Sequence, residues 1–373
     1  MTSPDKLIVL TAGGTGGHVF PAEALAAELL GRGRRLALIT DRRGQAYGGT
    51  LGQLTTHRIS AGGIAGRGLG ARLSAIGALG FGILQARALL RHLGPAAVVG
   101  FGGYASVPAM LAGSFRGIPT ILHEQNAVLG RANRLLAARA SVIATSFTEV
   151  THIADAHRGK VIRTGMPVRP SIIAQRDQGW SAIGENGPIR LLVLGGSQGA
   201  RALSEVVPAA LAALPEGLRR RLVLSQQCRP EDLDAVAQSY RETDIEVTLE
   251  SFFHDVPERL AAAHLVIARS GASTVAELTA LGRPSILVPY PHAIDDHQTA
   301  NARALEQAGG AWLIPQPVFT AASLATRLTT LLSEPDSLTR AAASARAAGV
   351  PDAAIRLADL VDRLAFGNSE VVS

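Results

Sequence analysis

The sequence predicts an α/β protein made of two similar domains, each a parallel sheet covered by helices. Three observations predict it. Apolar runs of strand length alternate with Ala- and Leu-periodic helical stretches along most of the 373 residues. The chain opens with a strand that runs into a glycine turn and then a helix. The same order restarts near residue 189.

The first strand is Leu7-Ile8-Val9-Leu10, followed by the turn Thr11-Ala12-Gly13-Gly14-Thr15-Gly16-Gly17-His18-Val19-Phe20 and a helix over Pro21–Leu30. Glycines at a strand-to-helix turn let the backbone approach a ligand closely and aim free N–H groups at it. Leu36–Thr40, Ala97–Gly100, Thr120–His123, Val142–Ala144 and Lys160–Arg163 continue the strands of the first half. Residues 165–188 are polar and punctuated by Pro and Gly, which marks a linker between a domain at 1–164 and another at 189–373. In the second half Ile189–Leu194 enters Gly195-Gly196-Ser197-Gln198-Gly199-Ala200-Arg201 and a helix. Leu222–Leu224, Ile245–Thr248, Leu265–Ala268 and Ser285–Val288 supply further strands, and two Ala-rich helices fill 321–366. The final helices are free to pack back toward the first domain.

Composition narrows the function. The formal charge is +6 and the pI about 10.2, yet only Lys6 and Lys160 are lysines, and no basic run interleaved with aromatics appears. Nucleic acid is therefore not expected as a partner. A moderate positive field suits phosphorylated substrates or an anionic membrane surface. Cys228 is the only cysteine, which excludes an intrachain disulfide and fits a reducing compartment. A first strand starting at Lys6 leaves no room for a signal peptide. Leu73–Ala86 is uncharged but too short to span a bilayer, and Gly100–Tyr104 with Pro108 break the apolar stretch 92–115. Residues 64–92 instead read as an apolar patch with a basic rim: Ile64, Leu69, Leu73, Ile76, Leu79, Phe81, Ile83 and Leu84, with Arg67, Arg72, Arg87 and Arg91. Gly70, Gly77, Gly80 and Gly82 make this segment pliable rather than a rigid core helix.

Neither glycine turn spells the dinucleotide fingerprint or holds a Walker lysine. Asp41 nevertheless stands where a ribose-binding acid of an NAD domain would lie, which keeps that reading as a rival. The Asp232-Leu233-Asp234 pair opens an amphipathic helix, where acids complement the helix dipole, so no protein metal site is expected. Ser270-Gly271-Ala272-Ser273-Thr274 is another small-residue turn opening a helix and suits a diphosphate. Glu277, two turns inward, suits the two hydroxyls of a ribose. Pro289–Asn301 and His123-Glu124-Gln125-Asn126 crowd polar groups beyond strand ends, as binding of a sugar with several hydroxyls requires. His18 is the one base candidate on the first glycine turn.

At this point a family resemblance is specific. The runs Gly13–Pro21, His123–Asn126, Gly195–Arg201 and Arg269–Ala272 with Glu277, together with Asp296-His297-Gln298 and Asn301, resemble the signature set of the MurG family over residues 6–364. These are the bacterial GlcNAc transferases that convert lipid I to lipid II. One departure is Met166 in Gly165-Met166-Pro167-Val168-Arg169, where the family pattern has Asn. The resemblance implies a GT-B fold, two Rossmann-like domains facing across a cleft. It implies UDP-GlcNAc as donor, lipid I as acceptor, inversion at the sugar, and no cofactor or metal. By motif matching, Thr15, Gly16 and Gly17 face the acceptor diphosphate and His18 is the catalytic base. Ser197, Gln198 and Gly199 hold the donor diphosphate with Ser270, Gly271 and Ala272. Glu277 takes the ribose, Arg169 lies near the nucleotide, and Phe252-Phe253 border the uracil. Asn126, His297 and Gln298 read the GlcNAc hydroxyls. The resemblance also implies a peripheral protein on the cytoplasmic face of the plasma membrane, with cell-wall and division proteins as further partners. Three alternatives stay open: a GT-B transferase with another lipid or natural-product acceptor, a sugar-nucleotide epimerase, and a non-catalytic nucleotide-sugar-binding scaffold.

Overall fold

A computed structural model describes residues 6–13, 16–41, 48–61, 69–196 and 200–367, with side chains in the helix Leu69–Leu93 described from Gly77 onward. The chain divides into two compact units, Met1–Arg169 with Pro351–Ser373, and Pro170–Val350.

In the first unit seven strands form one parallel sheet. They are β1 (Leu7–Thr11), β2 (Arg35–Asp41), β3 (Thr55–Ile59), β4 (Ala97–Gly100), β5 (Thr120–Glu124), β6 (Val142–Thr145) and β7 (Val161–Arg163), in the order β3-β2-β1-β4-β5-β6-β7. Period-two alternation divides the sheet's side chains between two cores. Ile8 and Leu10 of β1 join Leu25 and Leu29 of the helix Gly16–Gly31 and Leu357 and Val361 of the helix Ala353–Phe366. Val9 joins Ala37, Ile39, Val98, Leu90 and Met110 on the opposite face. Each such buried aliphatic side chain contributes about 1.5–3 kcal/mol relative to exposure. The last helix thus returns to the first unit. Arg32 and Arg34 fix it there: Arg32 donates to Asp359 at 2.7 Å and Asp362 at 3.1 Å, and Arg34 to Asp362 at 2.9 Å.

The second unit carries β8 (Ile189–Leu194), β9 (Leu222–Gln227), β10 (Glu246–Glu250), β11 (Leu265–Ala268), β12 (Ser285–Leu287) and β13 (Ala311–Leu313), parallel and ordered β10-β9-β8-β11-β12-β13. The stretch 165–188 is shared between the units. Gly165–Arg169 belongs to the first, while Trp180 and Ile183 pack on the core of the second and the Trp180 indole donates to the His264 carbonyl at 3.1 Å.

Several expectations change. The first helix starts at Gly16, not Pro21, so Pro21 lies inside it and His18 in its first turn. Pro21 lacks the N–H that would bond the Gly17 carbonyl, which is tolerable this close to a helix start. Residues 321–366 hold three helices, Ala321–Ser333, Pro335–Ala348 and Ala353–Phe366. β3 and β13 go unpredicted because Thr-Thr-His-Arg-Ile has no apolar run and Ala-Trp-Leu is three residues long. The segment expected to be pliable forms one helix, Leu69–Leu93. Gly82 serves packing there, since a Cβ would collide with the Ser60 carbonyl, whereas Gly77 and Gly80 face open space. Leu79 packs on the core, so the exposed apolar side chains are Phe81 (55%) and Leu84 (65%), near the exposed Arg87 and Arg91. Ile64 and Arg67 lie outside the described residues, as do the side chains of Leu69, Arg72, Leu73 and Ile76. Among the described residues no helix is long and apolar enough to cross a membrane.

Candidate functional site

Both sheets reverse strand order beside their first strand, and the chain crosses the carboxyl ends there in glycine turns. In the first unit β1 and β4 end in register, Thr11 opposite Gly100. An open α/β sheet forms its ligand crevice at such a switch point. Gly102 and Gly103 follow β4 with φ of 85° and 71°, values that glycine adopts without strain. They also make room. A Cβ on Gly102 would stand 3.4 Å from His18 Cε1, and one on Gly103 would stand 3.4 Å from the Gly13 carbonyl and 3.6 Å from His18 Cδ2. The two turns therefore close around the His18 imidazole. Thr15 of the first turn lies outside the described residues; Gly16 and Gly17 open the helix that carries His18.

β5 delivers the polar run beside this ring. His18 Nδ1 is 3.1 Å from Gln125 Oε1, Gln125 Nε2 is 3.0 Å from His123 Nδ1, and His123 Nε2 is 3.1 Å from the Gly165 carbonyl. His123 is fully buried, and burial lowers its pKa from 6.5 to about 4, so the ring is neutral at physiological pH. Glu124, also buried, shapes the loop that follows. One oxygen accepts from the Asn126 backbone at 2.9 Å and its side-chain amide at 3.2 Å; the other accepts from Gly130 N at 2.9 Å and Asn133 Nδ2 at 2.7 Å. Asn126 is thereby anchored at the crevice. The Arg169 guanidinium stacks 5.0 Å from the centroid of Phe20, in the same helix as His18, and Met166 is buried beside it in sequence.

The second unit repeats the pattern. β8 and β11 end in register, Leu194 opposite Ala268. Ser197, Gln198 and Gly199 lie outside the described residues. On the β11 side, Gly271 is the N-cap of the helix Ala272–Leu281, whose first-turn N–H groups have no acceptor within the helix. Glu277 is half-buried two turns along. The Ser270 hydroxyl is buried and donates to the Gln298 carbonyl at 2.8 Å, and Asn301 Nδ2 donates to the Ser270 carbonyl at 3.1 Å. These two bonds bind the turn to the helix His297–Gln307. Gln298 Oε1 accepts from Tyr290 N at 2.9 Å, and His297 Nδ1 donates to the Ile294 carbonyl at 2.8 Å. Asp295 and Asp296 adopt left-handed φ of 54° and 52°, a strain that concentrates at functional sites. Phe252, 61% exposed, lies just beyond the end of β10, and Phe253 is buried under Arg259.

Two contributors carried no assigned role at the level of sequence. Arg269 braces the loop after β12, donating to the Val288 and Pro289 carbonyls and, at 2.7 Å, to Gln316 Oε1. Gln125 links His18 to His123, which four consecutive polar residues at the end of an otherwise apolar strand could have signalled. Asp232 is taken up by a bidentate pair with Arg229.

Comparison with known proteins agrees with this duplicated arrangement. Residues 8–145 match the glycosyltransferase family 28 N-terminal domain and residues 190–357 the family 28 C-terminal domain. A Paramagnetospirillum magneticum protein named UDP-N-acetylglucosamine–N-acetylmuramyl-(pentapeptide) pyrophosphoryl-undecaprenol N-acetylglucosamine transferase is 65% identical over 97% of both chains. A Rhodospirillum rubrum protein of the same name is 60% identical over 96% of this chain and 92% of its own. The crystal structure of Acinetobacter baumannii MurG superposes with a TM-score of 0.79 at 30% identity, covering 96% of this chain and all of that one. With two Rossmann-like units of GT-B type and this degree of identity, the chain belongs to glycosyltransferase family 28 and, within it, to the MurG family.

Proposed function

We propose that the protein transfers GlcNAc from UDP-GlcNAc to the 4-hydroxyl of the muramoyl sugar of undecaprenyl-diphospho-muramoylpentapeptide, with inversion, in peptidoglycan synthesis. The observation that carries the reading is the His18 imidazole enclosed by two glycine turns at a switch-point crevice. An inverting transfer is one displacement. It needs a base for the proton of the attacking hydroxyl and stabilisation of the departing diphosphate. His18 is the base. Gly16 and Gly17, at the start of its helix, face the acceptor diphosphate together with Thr15, and Asn126 reads a sugar hydroxyl.

The donor belongs to the second unit. The backbone of Ser197, Gln198 and Gly199 and the helix N-terminus at Gly271 and Ala272 take the diphosphate, with Ser270 holding that turn in place rather than offering its own hydroxyl. Glu277 accepts the ribose hydroxyls, His297 and Gln298 address GlcNAc, and Phe252 borders the uracil. Arg169 adds positive charge near the nucleotide. Phe81 and Leu84 with Arg87 and Arg91 rest on the anionic cytoplasmic leaflet, which makes the protein peripheral to the plasma membrane and a candidate for contact with cell-wall and division proteins. Incubation with labelled UDP-GlcNAc and a lipid I analogue, with identification of the product, tests the reading. Disaccharide formation is the expected result. UDP release without a disaccharide, or transfer only to a different acceptor, overturns it.

A further inference from the structure

The chain of contacts behind His18 has only one consistent assignment of hydrogens. The Gly165 carbonyl can only accept, so His123 Nε2 carries the proton that reaches it at 3.1 Å. In a neutral ring His123 Nδ1 is then a lone pair, and it must receive a hydrogen. Gln125 supplies it. The Gln125 atom at 3.0 Å from His123 Nδ1 is also 3.1 Å from the His123 carbonyl, so two acceptors face it and it must be the amide NH2. The Gln125 carbonyl oxygen is thereby turned to His18, 3.1 Å from Nδ1. An oxygen there can only accept, so His18 Nδ1 carries a hydrogen, and in the neutral ring Nε2 is the atom with the lone pair. Among the described residues no hydrogen bond is made to His18 Nε2.

We propose that Gln125 is a positioning residue that, oriented by His123 and the Gly165 carbonyl, holds His18 in its Nδ1–H tautomer so that Nε2 is the proton-accepting atom. The proposal rests on the reading of His18 as base, and extends it by naming the atom and the device that selects it. The device is directional and carries no net charge. A carboxylate in place of Gln125 would do the same for His18 while placing a charge against two rings in a buried site; the amide polarises neither. The relay also reaches Gly165, at the end of the first unit's own sheet, so the tautomer depends on the backbone that follows β7 being in place.

The test is a long-range 1H–15N correlation spectrum of the full-length protein labelled at its histidine ring nitrogens, with His18 assigned by its loss in His18→Gln. In the wild type, His18 Nδ1 should be the protonated nitrogen and Nε2 the unprotonated one above the ring's titration. Gln125→Met has similar length and no hydrogen bond. It should move His18 toward the Nε2–H tautomer and lower kcat by about 10–100-fold, part of the ~10²–10⁴ a general base supplies, with KM for UDP-GlcNAc within about twofold. Gln125→Glu keeps an acceptor against Nδ1 and should keep the wild-type His18 tautomer, while its second oxygen, facing the His123 Nδ1 lone pair and carbonyl, draws a proton into that contact; this separates positioning of His18 from simple packing. Wild-type His18 found protonated at Nε2, or a tautomer unchanged in Gln125→Met, overturns the proposal. A tautomer that shifts as expected while kcat stays at the wild-type value upholds the positioning and refutes His18 as the base.

Discussion

Acidification should loosen the first unit through His123, and the size of the effect follows from its burial. In the unfolded chain this ring takes a proton near pH 6.5; in the folded protein it does so only near pH 4. Between those values the unfolded state binds more protons, so stability falls as pH falls, by about 1.4 kcal/mol per unit. The full window of 2.5 units is worth about 3 kcal/mol. Above pH 6.5 the ring is neutral in both states and contributes no slope; below pH 4 it is charged in both and the loss is complete. His123→Gln removes the titration while keeping a polar side chain of similar reach. Urea unfolding of both proteins at intervals from pH 7 to 4.5 should show a wild-type slope steeper than the variant's by about 1.4 kcal/mol per unit. Carboxylate pairs titrate alike in both proteins and cancel in the difference. Equal slopes, or an NMR titration of His123 centred near 6.5, would show that its burial does not depress its pKa.

Four further outcomes are expected. His18→Ala should lower kcat by about 10²–10⁴ with UDP affinity nearly unchanged in equilibrium binding; normal turnover with a raised donor KM would reassign it to binding. Glu277→Ala should weaken UDP and UDP-GlcNAc together by roughly 1.5–3 kcal/mol, and should abolish discrimination against a 2′-deoxyribose donor, which competition binding reads directly. Phe81→Glu with Leu84→Glu should reduce salt-sensitive binding to anionic vesicles and activity on membrane-embedded acceptor, while turnover of a short-chain acceptor and the melting temperature hold. Asp362→Ala removes a carboxylate, 16% exposed, that serves both Arg32 and Arg34, and should cost the first unit about 1–3 kcal/mol in denaturant unfolding.

The repeated strand, turn and helix was legible because its physics is local. A buried parallel strand reads as an uninterrupted apolar run, and the turn after it needs glycine. The edge strand β3 was not legible, since its stability comes from pairing with β2 and only Ile59 of its five residues is buried. The return of the last helix was open to sequence reading, but its partners were not. Its apolar stripe says that it packs, whereas the carboxylates of Asp359 and Asp362 find Arg32 only across more than 320 residues of chain. In the site, side-chain identity pointed to chemistry but not to partners. Ser270 sits in a turn suited to phosphate, yet its hydroxyl is spent on the Gln298 carbonyl, a bond that depends on two strands ending side by side. Gln125 stood in a legible polar run, but its part is defined by what lies on either side of it in space.

The return of the last helix also sets the order in which the protein can be made. Its first unit is assembled from both ends of the chain, with Pro170–Val350 synthesised in between. At about 5–20 residues per second a ribosome spends on the order of 10–40 s on that insertion. During this interval the first unit's sheet has been translated without Leu357 and Val361, which belong to one of its two cores. The second unit has no such wait, because its strands and its own core are contiguous in sequence. A nascent chain therefore completes the second unit first and the first unit last. A message truncated near residue 350 should yield a folded second unit joined to a first one that lacks part of its core.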